Sequence, residues 1–349
     1  MRPAWRQILA LLGTAALLLA LSATSANARP TQPARPAQST SYVTLNGVQY
    51  VDAIAFGKRF GLKATWTAPQ KRLVLSSRYT RIEFEVDSRD IRVNGTRIFM
   101  GDGARYHGRT LRISRIDAEK LLTPILRPGL GQPTMRSVKT IVLDAGHGGR
   151  DPGMENKRLN LQEKTLALDV VRRIEKILTN EGYRVILTRK DDRFIELGER
   201  PAVATRARAD VFVSVHFNAV ESNVEKVSGT ETYIMTPQFQ RSAADNSRGP
   251  SDGIANPGNE NDHWNSVLGY HLHRSLVNQL KTSDRGLKRG RLAVLRLSTC
   301  PAVLVEAGFV TNTAEARKIA TAAYRQQIAE AVAAGVKQYA AAVERSRSQ

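Results

Sequence analysis

The residues of this sequence best suited to chemistry are histidines and carboxylates at the ends of predicted strands. His147 lies in IVLDAGHGGRDPG, where an apolar run typical of a buried parallel strand gives way to glycines. His216 lies near the end of the apolar run VFVSVH, and Glu163 falls in the first turn of the helix predicted after the His147 loop. Ligands collect at the C-terminal ends of strands in open α/β sheets, so we expect these three side chains to meet at one edge.

Two imidazoles and one carboxylate would suit Zn²⁺, because they fill three tetrahedral positions and leave the fourth for water. Spacing alone leaves other interpretations open, since the sequence contains no short metal motif such as HExxH. His147 could belong to a solvated glycine-rich turn, and Glu163 could simply favour the helix dipole. His216 could be an ordinary histidine at a strand end.

A fourth candidate, Glu306, interrupts the apolar run AVLVEAGF. A carboxylate in a buried strand is costly unless it is paired or used. One interpretation is an ion pair with one of the many arginines. The other is a general base beside the metal, which takes a proton from water and passes it to the leaving group, with a pKa raised by burial.

These residues must be positioned by strands and helices. From about residue 136 onward the sequence predicts strands that alternate with helices, which is the pattern of a layered α/β domain. Helical spacing of apolar residues predicts helices over 161–180, over DHWNSVLGYHLHRSL and over 324–343. The strand candidates are TIVLDAG, YRVILTR, ADVFVSVHFNA, GTETYIM, LAVLR and AVLVEAGF.

The chain before this domain has three compositionally different regions. Residues 1–28 combine two arginines, an apolar run and an Ala-Asn-Ala sequence, which is typical of a secretory signal peptide. Residues 29–41 are Pro-rich and predict an extended linker. Residues 42–134 predict a small β-rich domain, in which VTLNGVQYV and IRVNGTRIF both alternate around Asn-Gly like β-hairpins.

Composition and charge narrow the classes of partner. The net charge of the 349-residue chain is +20, which favours an anionic partner such as an envelope polymer or a membrane surface, although a basic surface without any partner fits equally well. Nucleic acid is not expected, because the basic residues are spread along an exported chain without a recognisable nucleic-acid module. Cys300 is the only cysteine, which excludes an intrachain disulfide, and no later segment predicts a transmembrane anchor.

Six ordered motifs in the second half of the chain resemble those of the zinc-dependent N-acetylmuramoyl-L-alanine amidases of the type 3 family. They are LDAGHGG, LQEK, DRFIELGERPAVA, ADVFVSVHFNA, DRGLKRGRLAVLR and PAVLVEAGFVTN. The resemblance implies that His147, Glu163 and His216 bind Zn²⁺ and that Glu306 is the catalytic glutamate. It also implies a catalytic domain over 135–349, with a mixed, mostly parallel sheet and helices on both faces.

The implied reaction is hydrolysis of the amide between the lactyl group of muramic acid and the L-alanine that starts the stem peptide of peptidoglycan. The implied location is the periplasm, within the cell envelope. The implied role is that of an autolysin. Two alternatives stay open: a zinc peptidase that acts on the stem peptide, and a non-catalytic wall-binding protein. A protein activator, the stem preference and the oligomeric state are also left open.

Other features carry weaker expectations. The paired hairpins of residues 42–134 resemble the copper amine oxidase N-terminal-like stalk domain, without a copper site, which suggests a spacer or wall-binding role. The Gly- and Pro-rich segment 236–262 lies where some relatives hold a regulatory helix, and we expect an open lid or substrate-side loop from which Glu260 or Asp262 could reach the metal. Arg189 and Arg200 match family positions and could be structural or face the substrate. The remaining candidates are expected to be structural: Thr205, His263, His271, His273 and Cys300.

Overall fold

The computed structural model describes residues 42–132 and 134–348. The predicted signal peptide and linker lie outside the described residues. The rest of the chain is built on an eleven-stranded sheet, a four-stranded sheet and a two-stranded ribbon.

The N-terminal part is β-rich, as the alternating pattern predicts. Both expected hairpins form, and their Asn46-Gly47 and Asn94-Gly95 turns have the positive φ angles that such turns require. The elements in order are β1 (Val43–Leu45), β2 (Val48–Asp52), α1 (Ala53–Arg59), β3 (Lys63–Ala68), β4 (Arg72–Ser76), β5 (Arg81–Glu85), β6 (Asp90–Val93), β7 (Thr96–Phe99), β8 (Arg105–His107), β9 (Thr110–Ser114), α2 (Arg115–Asp117), a π-helical turn (Ala118–Leu122) and α3 (Thr123–Leu126).

The second part alternates strands and helices. None of its helices, nor any other helix of the described residues, is long and apolar enough to cross a membrane. The elements are β10 (Thr140–Ala145), β11 (Glu155–Asn156), β12 (Leu161–Gln162), α4 (Glu163–Asn180), β13 (Arg184–Leu187), α5 (Glu199–Ala207), β14 (Val211–Asn218), β15 (Thr230–Met235), α6 (Asp262–Leu280), β16 (Asp284–Gly290), α7 (Ala293–Arg296), β17 (Ala302–Phe309), α8 (Thr313–Ala320) and α9 (Ala322–Arg347), with 3-10 turns at Val224–Lys226, Pro250–Gly253 and Pro257–Asn261.

One predicted strand is wrong. LAVLR contains the short helix α7, and the strand lies just before it, in DRGLKRG. Val294 and Leu295 of α7 are buried beside Phe212 and Leu304. A short apolar run is compatible with a buried strand or a buried helical turn, so periodicity could not separate the two.

The large sheet has the strand order β13-β10-β14-β17-β15-β16-β7-β6-β5-β4-β3. Its first four strands are parallel, β15 is antiparallel to β17, and β16 is parallel to β15. Helices α4, α6 and α9 cover one face, and α5 and α7 cover part of the other. This confirms the predicted mixed, mostly parallel sheet. The C-terminal ends of β10, β14 and β17 therefore meet the N-terminal ends of β15 and β16 at one edge, which we call the site edge.

The N-terminal strands extend this same sheet. Leu287 of β16 is in register with Ile98 of β7, and the two residues share one hydrophobic core. A buried ion pair also joins the two parts, since Arg289 Nη1 lies 2.6 Å from Asp117 Oδ1. The proposed domain boundary at residue 134 stays a prediction. Strand β7, before this boundary, and strand β16, after it, are neighbours in one sheet.

The segment 236–262 lies at the edge of the sheet opposite the site edge. Since β15 runs antiparallel to β17, its last residue, Met235, lies at the far end of the sheet from Glu306. The segment then packs against the N-terminal part, where the Arg248 guanidinium lies 2.8 Å from the Asp102 carboxylate. Its Gly and Pro residues do exclude a long helix, as predicted. The expected position on the substrate side is wrong, because the direction of β15 places the segment elsewhere.

Candidate functional site

His147 lies just beyond the end of β10 in a tightly folded glycine loop. Its own backbone is left-handed, with φ +59°. A Cβ on Gly146 would lie 2.4 Å from the His216 ring, and a Cβ on Gly153 would lie 2.7 Å from both Glu163 Oε2 and His147 Cδ2. Glycine is therefore required at both positions, because the side chains of the site occupy the space where a Cβ would be.

The structure brings His147, Glu163 and His216 together at the site edge. His147 Nε2 lies 3.1 Å and His216 Nδ1 2.9 Å from the same oxygen, Glu163 Oε1. One ligand atom from each residue lies within 4.8 Å of the others. Two imidazole nitrogens and a carboxylate oxygen that converge in this way form a donor set that fits Zn²⁺ with a fourth position left for water.

Glu163 is the first residue of α4 and only 2% exposed. Its carboxylate accepts hydrogen bonds from the backbone N–H of Met154 at 3.0 Å and of Phe217 at 3.1 Å. Burial alone would raise the pKa of Glu163, but its hydrogen bonds to His147 and His216 hold that pKa below its ordinary value. The residue is thus kept as an anion, the form that binds a cation.

Asp151 is a residue of the site that sequence reasoning missed. Its Oδ2 lies 2.8 Å from His147 Nδ1, and its Oδ1 accepts a hydrogen bond from the Gly153 backbone at 3.0 Å. When a metal binds, a carboxylate at Nδ1 would hold the ring proton there and leave Nε2 free to act as a ligand. Burial lowers the pKa of His147, but its hydrogen bonds to Glu163 and Asp151 outweigh burial and raise it. An acid four residues after the histidine in a glycine loop was the available signal.

Glu306 lies on β17, in register with His216 on β14 and with Glu231 on β15. Register partners point to the same face of a sheet, so Glu306 faces the histidine cluster. Its Oε2 is buried without a hydrogen-bond partner in the described part of the chain, where no arginine pairs with it. Burial, reinforced by the charges of Glu163 and Glu231, raises the pKa of Glu306 well above its ordinary value. The alternative that Glu306 forms an ion pair with an arginine is therefore wrong within the described part of the chain.

Glu231 is the second residue that the sequence analysis missed. Its buried carboxylate lies 2.6 Å from Arg285 Nε and 2.9 Å from Lys288 Nζ, and it accepts a hydrogen bond from the Tyr233 hydroxyl at 2.8 Å. Burial raises the pKa of Glu231, but Lys288 and Arg285 overcome that effect and lower it. A carboxylate in the apolar strand GTETYIM was a signal of the same kind as Glu306.

Arg189 and Arg200 position the His147 loop from beneath. Arg189 is 1% exposed and donates hydrogen bonds to the backbone oxygens of Ala145 and Gly146. Arg200 is 3% exposed, pairs with Asp144 at 2.9 Å and donates to the backbone oxygen of His147 at 2.9 Å. Both arginines are therefore structural supports of the site and do not face a substrate.

The other candidates lie outside the cluster. His273 is fully buried between Thr232 and Asp284, and burial raises the pKa of the Cys300 thiol to about 12, which makes it a poor nucleophile. Asp262 pairs with Lys120 at 2.6 Å. Among the described residues, neither Asp262 nor Glu260 belongs to the group of side chains that could bind a metal ion. His263 is hydrogen-bonded to the Pro128 backbone oxygen, and the hydroxyl of Thr205 to that of Thr299. His271 lies between α6 and α9.

Comparison with known proteins gives a consistent result. A family profile described as N-acetylmuramoyl-L-alanine amidase matches residues 141–338. The chain is 36% identical over 201 residues to the uncharacterized protein YqiI of Bacillus subtilis, covering 58% of this chain and 84% of that protein. It is 34% identical over 253 residues to the amidase AmiC of Neisseria meningitidis serogroup B, covering 66% of this chain and 59% of AmiC.

A longer match covers most of this chain. The chain is 30% identical over 305 residues to the amidase LytC of Bacillus subtilis, which covers 86% of this chain and 50% of LytC. The chain thus spans only about half to three-fifths of the length of these two named amidases. Because the family profile covers more than half of the sequence and includes the whole histidine and glutamate cluster, the chain belongs to the N-acetylmuramoyl-L-alanine amidase family.

Proposed function

We propose that this protein hydrolyses peptidoglycan at the amide between N-acetylmuramic acid and the L-alanine of the stem peptide. We propose that His147, Glu163 and His216 hold Zn²⁺ and that Glu306 is the general base and acid. The observation that supports this proposal best is the position of Glu306, unpaired and in register with His216, beside a three-ligand cluster. A zinc ion held there would polarise the scissile carbonyl and lower the pKa of a bound water to ~7.

Each residue has a role that follows from its contacts. Glu306 takes the proton of the attacking water on its carboxylate, whose Oε2 has no competing partner. It then donates that proton to the departing amine of L-alanine. Burial raises the pKa of Glu306 and so makes its carboxylate a stronger base for the first of these two steps. Asp151 keeps His147 oriented throughout.

The remaining parts of the proposal concern location and the N-terminal segment. We propose that the protein is exported to the periplasm. Removal of Arg2 and Arg6 with the signal peptide lowers the net charge from +20 to +18, which still complements an anionic envelope polymer. The segment 42–134 is proposed to be a stalk-like domain related to the copper amine oxidase N-terminal-like type.

Digestion of purified sacculi, followed by mass analysis of the released products, tests the proposed bond. An amidase releases intact stem peptides with a free L-alanine amine and leaves unsubstituted glycan strands. A zinc peptidase would release shorter peptides and leave L-alanine attached to the glycan. A wall-binding protein without activity would sediment with the sacculi and release neither product.

A further inference from the structure

The face of the large sheet that carries Glu306 continues sideways from the site over the N-terminal strands. Glu306 is in register with Glu231, Tyr233 with Lys288, and the next strands place Phe99 level with Asp90 and Arg97 level with Arg92. We call the part of this surface formed by Tyr233, Lys288, Phe99, Arg97, Asp90 and Arg92 the extended face. Its side chains are half-buried or exposed, whereas the alternating residues Ile91 and Ile98 lie in the core on the other side.

The junction between the two parts of the chain is closely packed on this face. Gly286 of β16 has no side chain, and a Cβ there would lie 2.7 Å from the Phe99 ring. The Lys288 ammonium lies 5.8 Å from the ring centroids of both Phe99 and Tyr233, and the Arg97 guanidinium lies 4.8 Å from that of Phe99. The extended face is therefore one surface, in which aromatic rings alternate with cations.

Positive charge exceeds negative charge along this surface. Arg285 and Lys288 share one carboxylate, Glu231, and Arg97 pairs with Asp90 at 2.6 Å. The Arg92 guanidinium donates to the backbone oxygen of Gly95 and has no carboxylate within ion-pair distance among the described residues. Cations that outnumber their carboxylate partners and lie beside aromatic rings favour a ligand that carries carboxylates.

We infer that the extended face binds the stem peptide of the substrate through the peptide's own carboxylates. This inference rests on the proposed function, which places the scissile amide over Glu306. Neighbouring strands lie about 4.8 Å apart, so β7 and β6 lie roughly 14 and 19 Å from β17 across the sheet. An extended peptide of five residues spans about 17 Å. A stem peptide that leaves the site across the strands therefore extends past Arg97 on β7 and ends about 2 Å short of β6, within reach of the long Arg92 side chain.

The test compares two soluble substrates in the full chain: a muropeptide with a five-residue stem and one whose stem is L-alanine alone. The variant combines Arg92→Gln with Arg97→Gln, two surface substitutions outside the metal cluster. We expect kcat/KM to fall about tenfold on the long stem and to stay unchanged on the short one. Arg115→Gln is the matched control, because Arg115 forms a comparable half-exposed ion pair with Glu119 away from this face. It should alter neither value.

A second measurement does not depend on cleavage. Calorimetry with the free five-residue stem peptide should show binding to the full chain and about tenfold weaker binding to the double variant. If the unmodified chain cleaves neither substrate yet binds this peptide through the two arginines, the proposed function fails and the inference stands. Equal kcat/KM losses on both substrates would overturn the inference, as would unchanged kcat/KM on the long stem or a loss that follows glycan length instead.

Discussion

Asp151 Oδ2 lies 2.8 Å from His147 Nδ1, on the side of the imidazole ring away from Glu163. The carboxylate therefore decides which ring nitrogen is free to face the cluster. Because its own Oδ1 is held by the Gly153 backbone, Asp151 transmits the shape of the loop to the ring of His147.

The first prediction follows from this contact. Asp151→Ala should weaken zinc binding about 10- to 100-fold, because His147 loses the partner that fixes its tautomer and orientation. Competition with a fluorescent chelator measures the affinity. Glu196→Ala is the control, since Glu196 is an acid of a neighbouring loop that pairs with Arg150. Unchanged zinc affinity in Asp151→Ala would show that the loop backbone alone orients His147.

The second prediction concerns the metal itself. Removal of zinc by a chelator should abolish amidase activity, and added zinc should restore it, because the ligands come from three separate elements. The double substitution of His147→Ala with His216→Ala should leave no bound zinc by elemental analysis. Full activity of a rigorously zinc-free preparation would contradict the proposed mechanism.

The third prediction separates catalysis from metal binding. Glu306→Gln keeps the shape of the side chain and should retain zinc, but its amide cannot accept the proton of the water. Turnover of a defined muropeptide should fall by ~10² to 10⁴. The measurement requires verified full zinc occupancy. A loss of less than about tenfold would be too small for a residue that serves both proton transfers.

The fourth prediction tests the support beneath the His147 loop. Arg200→Gln should lower the free energy of unfolding by about 3 kcal/mol, because it leaves the buried Asp144 without its cation. Arg206→Gln on the same helix is the matched control: its pair with Glu199 is exposed and should contribute less than about 1 kcal/mol. Urea unfolding measures both variants, and similar losses would argue against a structural role for Arg200.

The fifth prediction concerns His271 and acid stability. Burial, together with the charges of Arg345 and Arg274, lowers the pKa of His271 to about 4. The unfolded chain protonates this histidine near pH 6.5, whereas the folded chain does so only near pH 4. The stability due to neutral His271 is therefore present above pH 6.5 and is lost as the pH falls towards 4.

Unfolding by urea at pH 7 and at pH 4.5 measures this loss in the unmodified chain and in His271→Gln. Between the two pH values, the free energy of unfolding should fall by about 1 to 3 kcal/mol less in the variant than in the unmodified chain. His107→Gln, at an exposed histidine, should behave like the unmodified chain. An equal loss in all three proteins would show that His271 does not contribute to acid sensitivity.

Periodicity and strand-end position predicted much of the architecture. The apolar runs before His147 and His216 identified parallel strands, and parallel strands bring their C-terminal ends to one edge. Glu306 was recognisable because a carboxylate in an apolar run demands a reason. The inferences about the strands are confirmed, because they depend on local pattern and on a general rule of sheet geometry, and the role of Glu306 stays a proposal.

What could not be predicted depends on tertiary contacts. The orientation of His147 relies on Asp151, and the charge balance beside Glu306 relies on Lys288 and Glu231. The position of the segment 236–262 depends on whether β15 runs parallel or antiparallel to β17, which its sequence does not encode locally. An apolar pattern of four or five residues, as in α7, suits either secondary structure once it is buried.

The pairing of β7 with β16 also determines the order in which the parts of the large sheet can fold. The backbone of Arg97 donates to Asp284 across this seam, and 187 residues separate the two in sequence. Strands β3 to β7 are antiparallel neighbours joined by short turns, so they can associate as soon as they are available. The outer backbone of β7 then stays open until β16 arrives, and an open strand edge recruits other chains. Slow or interrupted refolding should therefore lead to aggregation that begins at β7.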